Sequence, residues 1–217
     1  MRPVSPVIKN IIIINVLFFL ASNAYSQLKI GVQAGPNFSS ISAVEKVSDL
    51  KTDKSSQTSY QTTLLAEYKA MPELAIELGV QYSRQGTKWH DAEQNTIKLN
   101  YLKFPLTLSY PFTLGNGQMK VGTGGYYATA LSGFRINAGQ KVELVFDSSQ
   151  YSMFKRADLG IIFKTAYEFS NGLSLAMDYQ MGLKNIASEQ MSDFFNFKNR
   201  AFSISLGYYL KLNKTRQ

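Results

Sequence analysis

Large apolar residues recur at every second position in two neighbouring segments of the chain. Residues 159–169 carry one such row, made of Leu159, Ile161, Phe163, Thr165, Tyr167 and Phe169. Residues 173–183 carry a second row, made of Leu173, Leu175, Met177, Tyr179, Met181 and Leu183. The positions between them are mostly small, polar or charged, and a period of two is typical of β-strands with two unlike faces. Ser170, Asn171 and Gly172 predict a hairpin turn in which Gly172 takes the left-handed conformation.

The register of this hairpin follows from its apolar rows, because a slip of one residue would mix the two faces. If Phe169 and Leu173, which flank the turn, lie opposite each other, Lys164 lies opposite Asp178 and Asp158 lies opposite Lys184. Two opposite-charge pairs therefore arise from a register chosen on apolar grounds alone. Each segment also has the length of about 9–11 residues that a tilted membrane-crossing strand needs. We interpret the two segments as a membrane hairpin whose polar side faces inward.

The same alternation predicts six further strands, at residues 28–38, 59–70, 74–85, a stretch ending at Phe112, 118–132 and 197–212. Long polar connections at 39–58, 86–95, 133–154 and 186–196 alternate with short turns, and residues 141–146 predict an extra strand within the third connection. Outer-membrane barrels have an even number of strands, short periplasmic turns and longer extracellular loops. The sequence therefore predicts an all-β, eight-stranded antiparallel up-and-down transmembrane β-barrel.

A secreted β-sandwich is the alternative fold, because it would bury the same apolar rows in an ordinary core. Glycines on the polar face favour the barrel, since the interior of an eight-stranded barrel is only wide enough for side chains to fill. They are Gly31, Gly35, Gly79, Gly122, Gly160, Gly182 and Gly207. Pro105 falls on the inner phase of its strand and predicts a bulge or irregular pairing there.

The N-terminus has the pattern of a secretory signal peptide. Arg2 and Lys9 precede the apolar residues 11–21, and small residues follow at Ala24 and Ser26. The apolar run is shorter than the ~20 residues of a spanning helix, although an uncleaved helical anchor is the alternative. We expect residues 1–26 to be a signal peptide and residues 27–217 to form the barrel domain, integral to a bacterial outer membrane.

Charge and cysteine content limit the classes of partner and cofactor. The chain has 23 Lys and Arg residues against 15 Asp and Glu, a formal net charge of +8. For an exported chain this balance favours anionic lipid head groups over nucleic acid, for which no motif is present. The absence of cysteine excludes a lipoprotein signal, a disulfide framework and a thiolate metal site. We expect no cofactor and no metal.

Five segments carry a resemblance to a known family: residues 29–37 (KIGVQAGPN), 99–106 (LNYLKFPL), 158–160 (DLG), 179–186 (YQMGLKNI) and 198–200 (KNR). With them the chain resembles the PorT-type outer-membrane β-barrel proteins common in Bacteroidetes. The resemblance implies the barrel fold and an outer-membrane location in a Gram-negative envelope, and it implies no catalytic residues. The chain ends in NKTRQ without a terminal aromatic residue, so the barrel-assembly machinery would have to recognise internal residues such as Tyr208 and Leu210.

The inner face is predicted to hold an unusual number of charges. They are Glu67, Lys69, Glu77, Lys103, Lys120, Asp158, Lys164, Glu168, Asp178 and Lys184. We interpret them as charge pairs that fix the register and close the bore. A gated proton or ion path is the alternative interpretation.

Basic residues are also predicted at the loop ends of the strands: Arg84, Lys88, Lys98, Arg135, Lys155, Arg156, Lys198 and Arg200. Arginine suits bidentate binding of phosphate, so we expect contacts to lipopolysaccharide from Arg84, Lys88, Arg135, Arg156 and Arg200. Charges that only keep the loops soluble are the alternative.

The sequence offers little catalytic chemistry. A lipid-A-modifying barrel enzyme would need a histidine with a serine or an acid at the outer rim, and His90 has only Ser83 and Glu93 as candidates by position. We therefore expect a non-enzymatic, monomeric barrel with a filled lumen and a structural or interaction role. Residues 39–58 and 133–154 would bind an envelope or secretion-system partner. The sequence is also compatible with a small porin-like channel or with an exported soluble binding protein.

Overall fold

The computed structural model describes residues 27–46, 54–89, 95–137, 139–146 and 152–211. These residues form nine strands and one short helix. The strands are β1 Leu28–Glu45, β2 Lys54–Met71, β3 Leu74–Trp89, β4 Thr96–Leu114, β5 Gly117–Asn137, β6 Gln140–Glu143, β7 Ala157–Glu168, β8 Leu173–Gly182 and β9 Phe195–Lys211, and the helix is α1 Glu189–Ser192.

Eight of these strands close into a ring in the order β1-β2-β3-β4-β5-β7-β8-β9, with β9 returning to β1. Every neighbouring pair in the ring is antiparallel. The short strand β6 pairs only with the far end of β5 and lies outside the ring. The prediction of an eight-stranded antiparallel up-and-down barrel is confirmed.

The apolar rows face outward. Strand β8 alternates exposed and buried residues along nearly its whole length. On β7, the Phe163 side chain is 50% exposed, whereas its neighbour Ile162 is 3% exposed. A sandwich would bury the row that contains Phe163, so the closed ring and the exposed row exclude the alternative fold.

The central hairpin has the predicted register over most of its length. Lys164 lies opposite Asp178, and Gly172 has a φ angle of +90° in the turn. The prediction that Asp158 lies opposite Lys184 is wrong, because the β7–β8 ladder ends where Gly160 pairs with Gly182. Beyond it the amides of Leu183 and Lys184 both donate to the Leu159 carbonyl, at 2.8 and 3.2 Å, and Lys184 is exposed.

Most strands are longer than predicted. β1 and β2 occupy much of the expected loop 39–58, and β5 and β6 occupy part of 133–154. Near the loop end of β1 the polarity of the two faces is reversed. Ile41 and Ala43 face inward, whereas Ser40 and Ser42 lie on the outer phase. Such a segment resembles a polar loop in sequence although it is a continuous strand.

The pairing near Pro105 is irregular, as predicted. The β3–β4 ladder is interrupted beside Pro105 without a change of register, because proline has no N–H to donate. The register of β4 against β5 runs unbroken past Pro105. The shift in that pair lies instead at Asn100 and Tyr101.

Candidate functional site

Four charged side chains meet inside the barrel near the short turns, at what we call the short-turn end. This charge quartet consists of Lys29 on β1, Glu67 on β2, Lys120 on β5 and Glu168 on β7. Lys29 Nζ lies 2.8 Å from Glu168 Oε1 and 3.5 Å from Glu67 Oε1, and Lys120 Nζ lies 2.7 Å from Glu168 Oε2 and also contacts Glu67 Oε2. Each lysine therefore touches both glutamates, and the quartet is neutral as a whole.

A second ion pair lies further into the lumen. Lys164 pairs with Glu77, whose second carboxylate oxygen accepts the Tyr209 hydroxyl at 2.9 Å. Gln33 completes this layer by accepting from Lys164 at 3.4 Å and donating to the Tyr209 oxygen at 3.3 Å. Lys164 thus forms its salt bridge across the lumen with β3, although the register sets it opposite Asp178.

Amide side chains surround the charges at mid-lumen. Asp178 accepts from Gln180 Nε2 at 2.8 Å and from Gln61 Nε2 at 3.1 Å. Lys103 is fully buried, donates to Gln180 Oε1 at 2.6 Å and lies 4.5 Å from the Tyr126 ring centroid. The interior is therefore a hydrogen-bonded network rather than a ladder of adjacent salt bridges.

Asp158 belongs to the same network one layer further from the short turns. Its Oδ2 accepts from the Tyr126 hydroxyl at 3.1 Å and from Asn199 Nδ2 at 2.9 Å. Asn199 also donates to the Tyr101 hydroxyl at 3.2 Å. Neutral groups thus satisfy the buried carboxylate that the hairpin register was expected to set beside Lys184.

Two small spaces lie within this network. A cavity of about 20 Å³ is lined by polar side chains that include Gln61, Glu77 and Asp178. A second cavity of about 10 Å³ lies beside Lys120 and Lys164. Because one water needs about 10–15 Å³, each space holds on the order of one molecule. The described lumen is filled by side chains rather than open as a pore.

Apolar side chains fill the opposite end of the barrel, which we call the loop end. This mouth cluster includes Ile41, Ile97, Leu99, Phe146, Phe154, Ile186, Ala187 and Phe197. Phe146, Phe154, Ile186 and Ala187 come from connections that were predicted to be external loops. That prediction is wrong for these residues, which fold into the mouth because their apolar side chains are buried there.

Backbone hydrogen bonds hold the two inserted connections together. Lys155 N donates to Ile186 O at 2.8 Å, and Ser188 N donates to Met153 O at 3.0 Å. Asn185 Oδ1 accepts from the amides of Ala187 and Phe197, at 3.0 and 2.8 Å. The apolar residues within otherwise polar connections were the sequence signal for this insertion.

The basic residues predicted at the loop end do not form one cluster. Arg84 Nε donates to Asn100 Oδ1 at 3.0 Å, and Arg135 Nε donates to Asn95 Oδ1 at 3.2 Å. Arg156 is exposed and donates to the Ala130 carbonyl at 3.1 Å. Lys88 and Arg200 are exposed on different strands. Arg84, Lys88 and Lys98 share the wall formed by β3 and β4.

The candidate catalytic residues do not assemble into a site within the described residues. The Ser83 side chain is fully buried and accepts from Asn37 Nδ2 at 3.3 Å. His90 and Glu93 lie outside the part of the chain that the structure describes. Among the residues it does describe, no group of three or more His, Cys, Asp or Glu side chains could hold a metal ion. None of the described helices is long and apolar enough to cross a membrane.

A closed antiparallel ring with an apolar exterior and a polar, filled interior defines an integral outer-membrane β-barrel. Residues 20–188 match the model of the outer membrane protein beta-barrel domain family, and the chain belongs to this family. A search of curated proteins gave no match.

Solved structures of outer-membrane proteins are similar to this chain at low sequence identity. OprG from Pseudomonas aeruginosa is 14% identical with a TM-score of 0.51, over 86% of this chain and 98% of that chain. Neisserial surface protein A is 16% identical with a TM-score of 0.46, over 84% and 96%. The outer membrane enzyme PagL is 14% identical with a TM-score of 0.42, over 80% and 98%.

Proposed function

We propose that this outer-membrane barrel does not conduct, and that its role is structural or interactive and performed at the loop end. The observation that carries the proposal is the closure of the lumen at both ends. The charge quartet fills the short-turn end, where Glu67, Lys120 and Glu168 are each no more than 5% exposed. The mouth cluster fills the loop end with side chains such as Phe154, which is 1% exposed.

The shape of the wall supports an interaction at the loop end. β1 has 18 residues and β8 has 10, whereas a crossing strand needs about 9–11. The longer strands therefore extend beyond the bilayer on the side of the long connections, which is extracellular in barrels of this kind. We propose that residues 39–58 and 133–154 there contact an envelope or secretion-system partner.

Export and membrane contacts belong to the same proposal. Residues 1–26 would act as the cleaved signal peptide that exports the chain, and the barrel-assembly machinery would then insert the mature chain into the outer membrane. Once inserted, the basic residues at the loop end would contact lipopolysaccharide phosphate. The apolar outer wall, with exposed residues such as Leu64 and Leu106, would meet the lipid acyl chains.

A photo-crosslinking amino acid, introduced into the protein and activated in the native envelope, tests the interaction. We expect position 142 on β6, where Val142 is 59% exposed, to give a discrete protein adduct. The matched control is position 73 in the turn between β2 and β3, where Glu73 is also exposed but lies at the short-turn end. Adducts of the same size from both positions, or none from either, would contradict an interaction specific to the loop end.

A small channel is the second candidate, because Glu77, Lys164 and Asp178 line the polar cavity at mid-lumen. Conduction would require both the mouth cluster and the quartet to move aside. Purified protein in planar bilayers separates the two functions. The proposal expects no steady current above that of the bare bilayer, and sustained unitary steps would establish the channel instead.

A further inference from the structure

Arg84 on β3 is held by both its backbone and its side chain. Its carbonyl oxygen accepts from Asn37 Nδ2 at 2.7 Å and from the Ser59 hydroxyl. Its Nε donates to Asn100 Oδ1 at 3.0 Å, and its guanidinium carbon lies 5.3 Å from the Tyr60 ring centroid. Asn100 is fixed in turn by donating to the Ser132 hydroxyl at 2.8 Å. These contacts leave the two terminal guanidinium nitrogens for another ligand.

Two lysines lie next to this arginine on the same face of the wall. Arg84 pairs with Asn100, Gly86 with Lys98, and Lys88 with Thr96 across β3 and β4. Lys98 is therefore the diagonal neighbour of both Arg84 and Lys88, and diagonal positions in an antiparallel pair lie about 7–8 Å apart. Gly86 places no side chain between the three cations, which we call the basic triad.

The described outward positions around the basic triad carry no acid. They are occupied by Tyr60, Tyr82, Thr96, Asn100, Ser132 and Phe134. The acid Glu143 on β6 lies one strand further away, opposite Phe134, so no carboxylate is directly adjacent to the three cations on this face. Such a patch favours a ligand group with more than one negative charge, and arginine binds planar pairs of phosphate oxygens in a bidentate manner.

The position of the patch relative to the membrane indicates the source of the anionic ligand group. Below Arg84, residues 74–82 of β3 have the length that crosses a bilayer and carry outward Leu78 and Val80, which are 56% and 46% exposed. Tyr60 and Tyr82 lie between this apolar surface and Arg84, with their ring centroids 6.0 Å apart. Aromatic side chains are enriched at the level of the lipid head groups. The basic triad therefore lies just above the edge of the hydrocarbon layer.

We propose that Arg84, Lys88 and Lys98 bind a phosphate group of a phosphorylated glycolipid in the outer leaflet. The acyl chains of this lipid lie against the apolar wall of β2, β3 and β4, directly below the phosphate. The site rests on the proposed membrane function, because it requires the loop end to face the outer leaflet. This site contains two of the residues expected to contact lipopolysaccharide, Arg84 and Lys88, together with Lys98. Arg135, Arg156 and Arg200 lie elsewhere and are not part of it.

Native mass spectrometry of the full-length protein tests the site, with lipid A as the probe. Wild type should retain bisphosphorylated lipid A. The triple variant Arg84→Gln, Lys88→Gln, Lys98→Gln should bind it at least about tenfold more weakly, because each charge-assisted hydrogen bond is worth that much or more. Arg84→Lys keeps the charge but loses the bidentate geometry, so its affinity should fall between the two. Lys184→Gln is the matched control, because Lys184 is an exposed charge after β8, outside the triad, and this variant should bind as wild type does.

Two further probes separate the contribution of the phosphate group from the other sources of affinity. Dephosphorylated lipid A should bind wild type and the triple variant equally weakly, and inorganic phosphate should not displace the bound lipid. Equal retention by wild type and triple variant, or an equal loss in Lys184→Gln, would overturn the site. Displacement by inorganic phosphate would also overturn it, by assigning the patch to free anions. Heat-dependent gel mobility reports whether each variant is folded, and bilayer conductance tests the closed lumen independently of this result.

Discussion

At the scale of single residues, the interior depends on how charges from distant strands are combined. Alternation along each strand predicts that Glu67, Lys120 and Glu168 face inward, whereas Lys29 was not among the predicted inner charges. It does not predict which of them meet, because the partners come from four strands and the contacts cross the lumen. The adjacent pair Lys164 and Asp178 shows the same limit, since the register was correct but the salt bridge goes to Glu77.

Lys120→Met should destabilise the barrel. It leaves Glu67 and Glu168 sharing Lys29 alone, and removing one partner of a buried ion pair costs about 3–5 kcal/mol. Adding Glu67→Gln should recover most of this loss, because Lys29 and Glu168 then remain as a neutral pair. Urea unfolding in lipid vesicles measures both changes. If Lys120→Met unfolded at the same urea concentration as the wild type, the quartet would not contribute to the stability of the barrel.

The neighbouring glycines Gly124 and Gly125 should respond differently to substitution. A Cβ on Gly124 would overlap the Leu106 carbonyl oxygen and lie 2.7 Å from the Thr107 Cα, whereas a Cβ on Gly125 has only the Gly160 oxygen nearby, at 3.4 Å.

We therefore expect Gly124→Ala to cost about 1–3 kcal/mol through overpacking. We expect Gly125→Ala to be neutral or stabilising by about 0.4–1 kcal/mol, because alanine restricts the unfolded chain. The same unfolding assay compares the two variants. Equal stabilities would mean that β4 and β5 can separate at this point without cost.

At the scale of elements, sequence alternation identified all eight strands of the ring and the register of the central hairpin. It misjudged where strands end at the loop end. There the inner phase becomes apolar, with Ile41 and Ala43 inside, and the outer phase becomes polar. Signals for a membrane strand disappear at that point although the hydrogen-bonded ladder continues, so alternation alone could not mark the boundary.

The connection that carries Phe154 should contribute strongly to stability. Its ring is buried in the mouth cluster, 5.7 Å from the Phe197 ring centroid, and truncating a buried phenylalanine costs about 3–5 kcal/mol. Phe194 follows α1 and is 57% exposed, so Phe194→Ala should change stability by no more than about 0.5 kcal/mol. Thermal melts in detergent compare Phe154→Ala with Phe194→Ala. A larger effect at Phe194 would contradict the inserted arrangement of the connection.

At the scale of the whole molecule, the rhythm of long connections and short turns was enough to predict a closed barrel. That rhythm constrains the order of strands, because each short turn joins neighbours in the ring. It could not predict the filling of the lumen, since the mouth cluster brings together residues from distant strands and connections. The basic triad was equally hidden, because Lys98 joins Arg84 and Lys88 only through the β3–β4 register.

The central claim is that the bulky apolar rows face lipid and the small and polar rows face inward. Nuclear Overhauser contacts to lipid acyl protons, measured on the protein in bicelles, test it most directly without any substitution. We expect such contacts from Phe163 and Tyr179, which are exposed on the outer wall, and none from Ile162 and Ala176, which are buried inside. Acyl contacts at Ile162 and Ala176, with none at Phe163 and Tyr179, would contradict it.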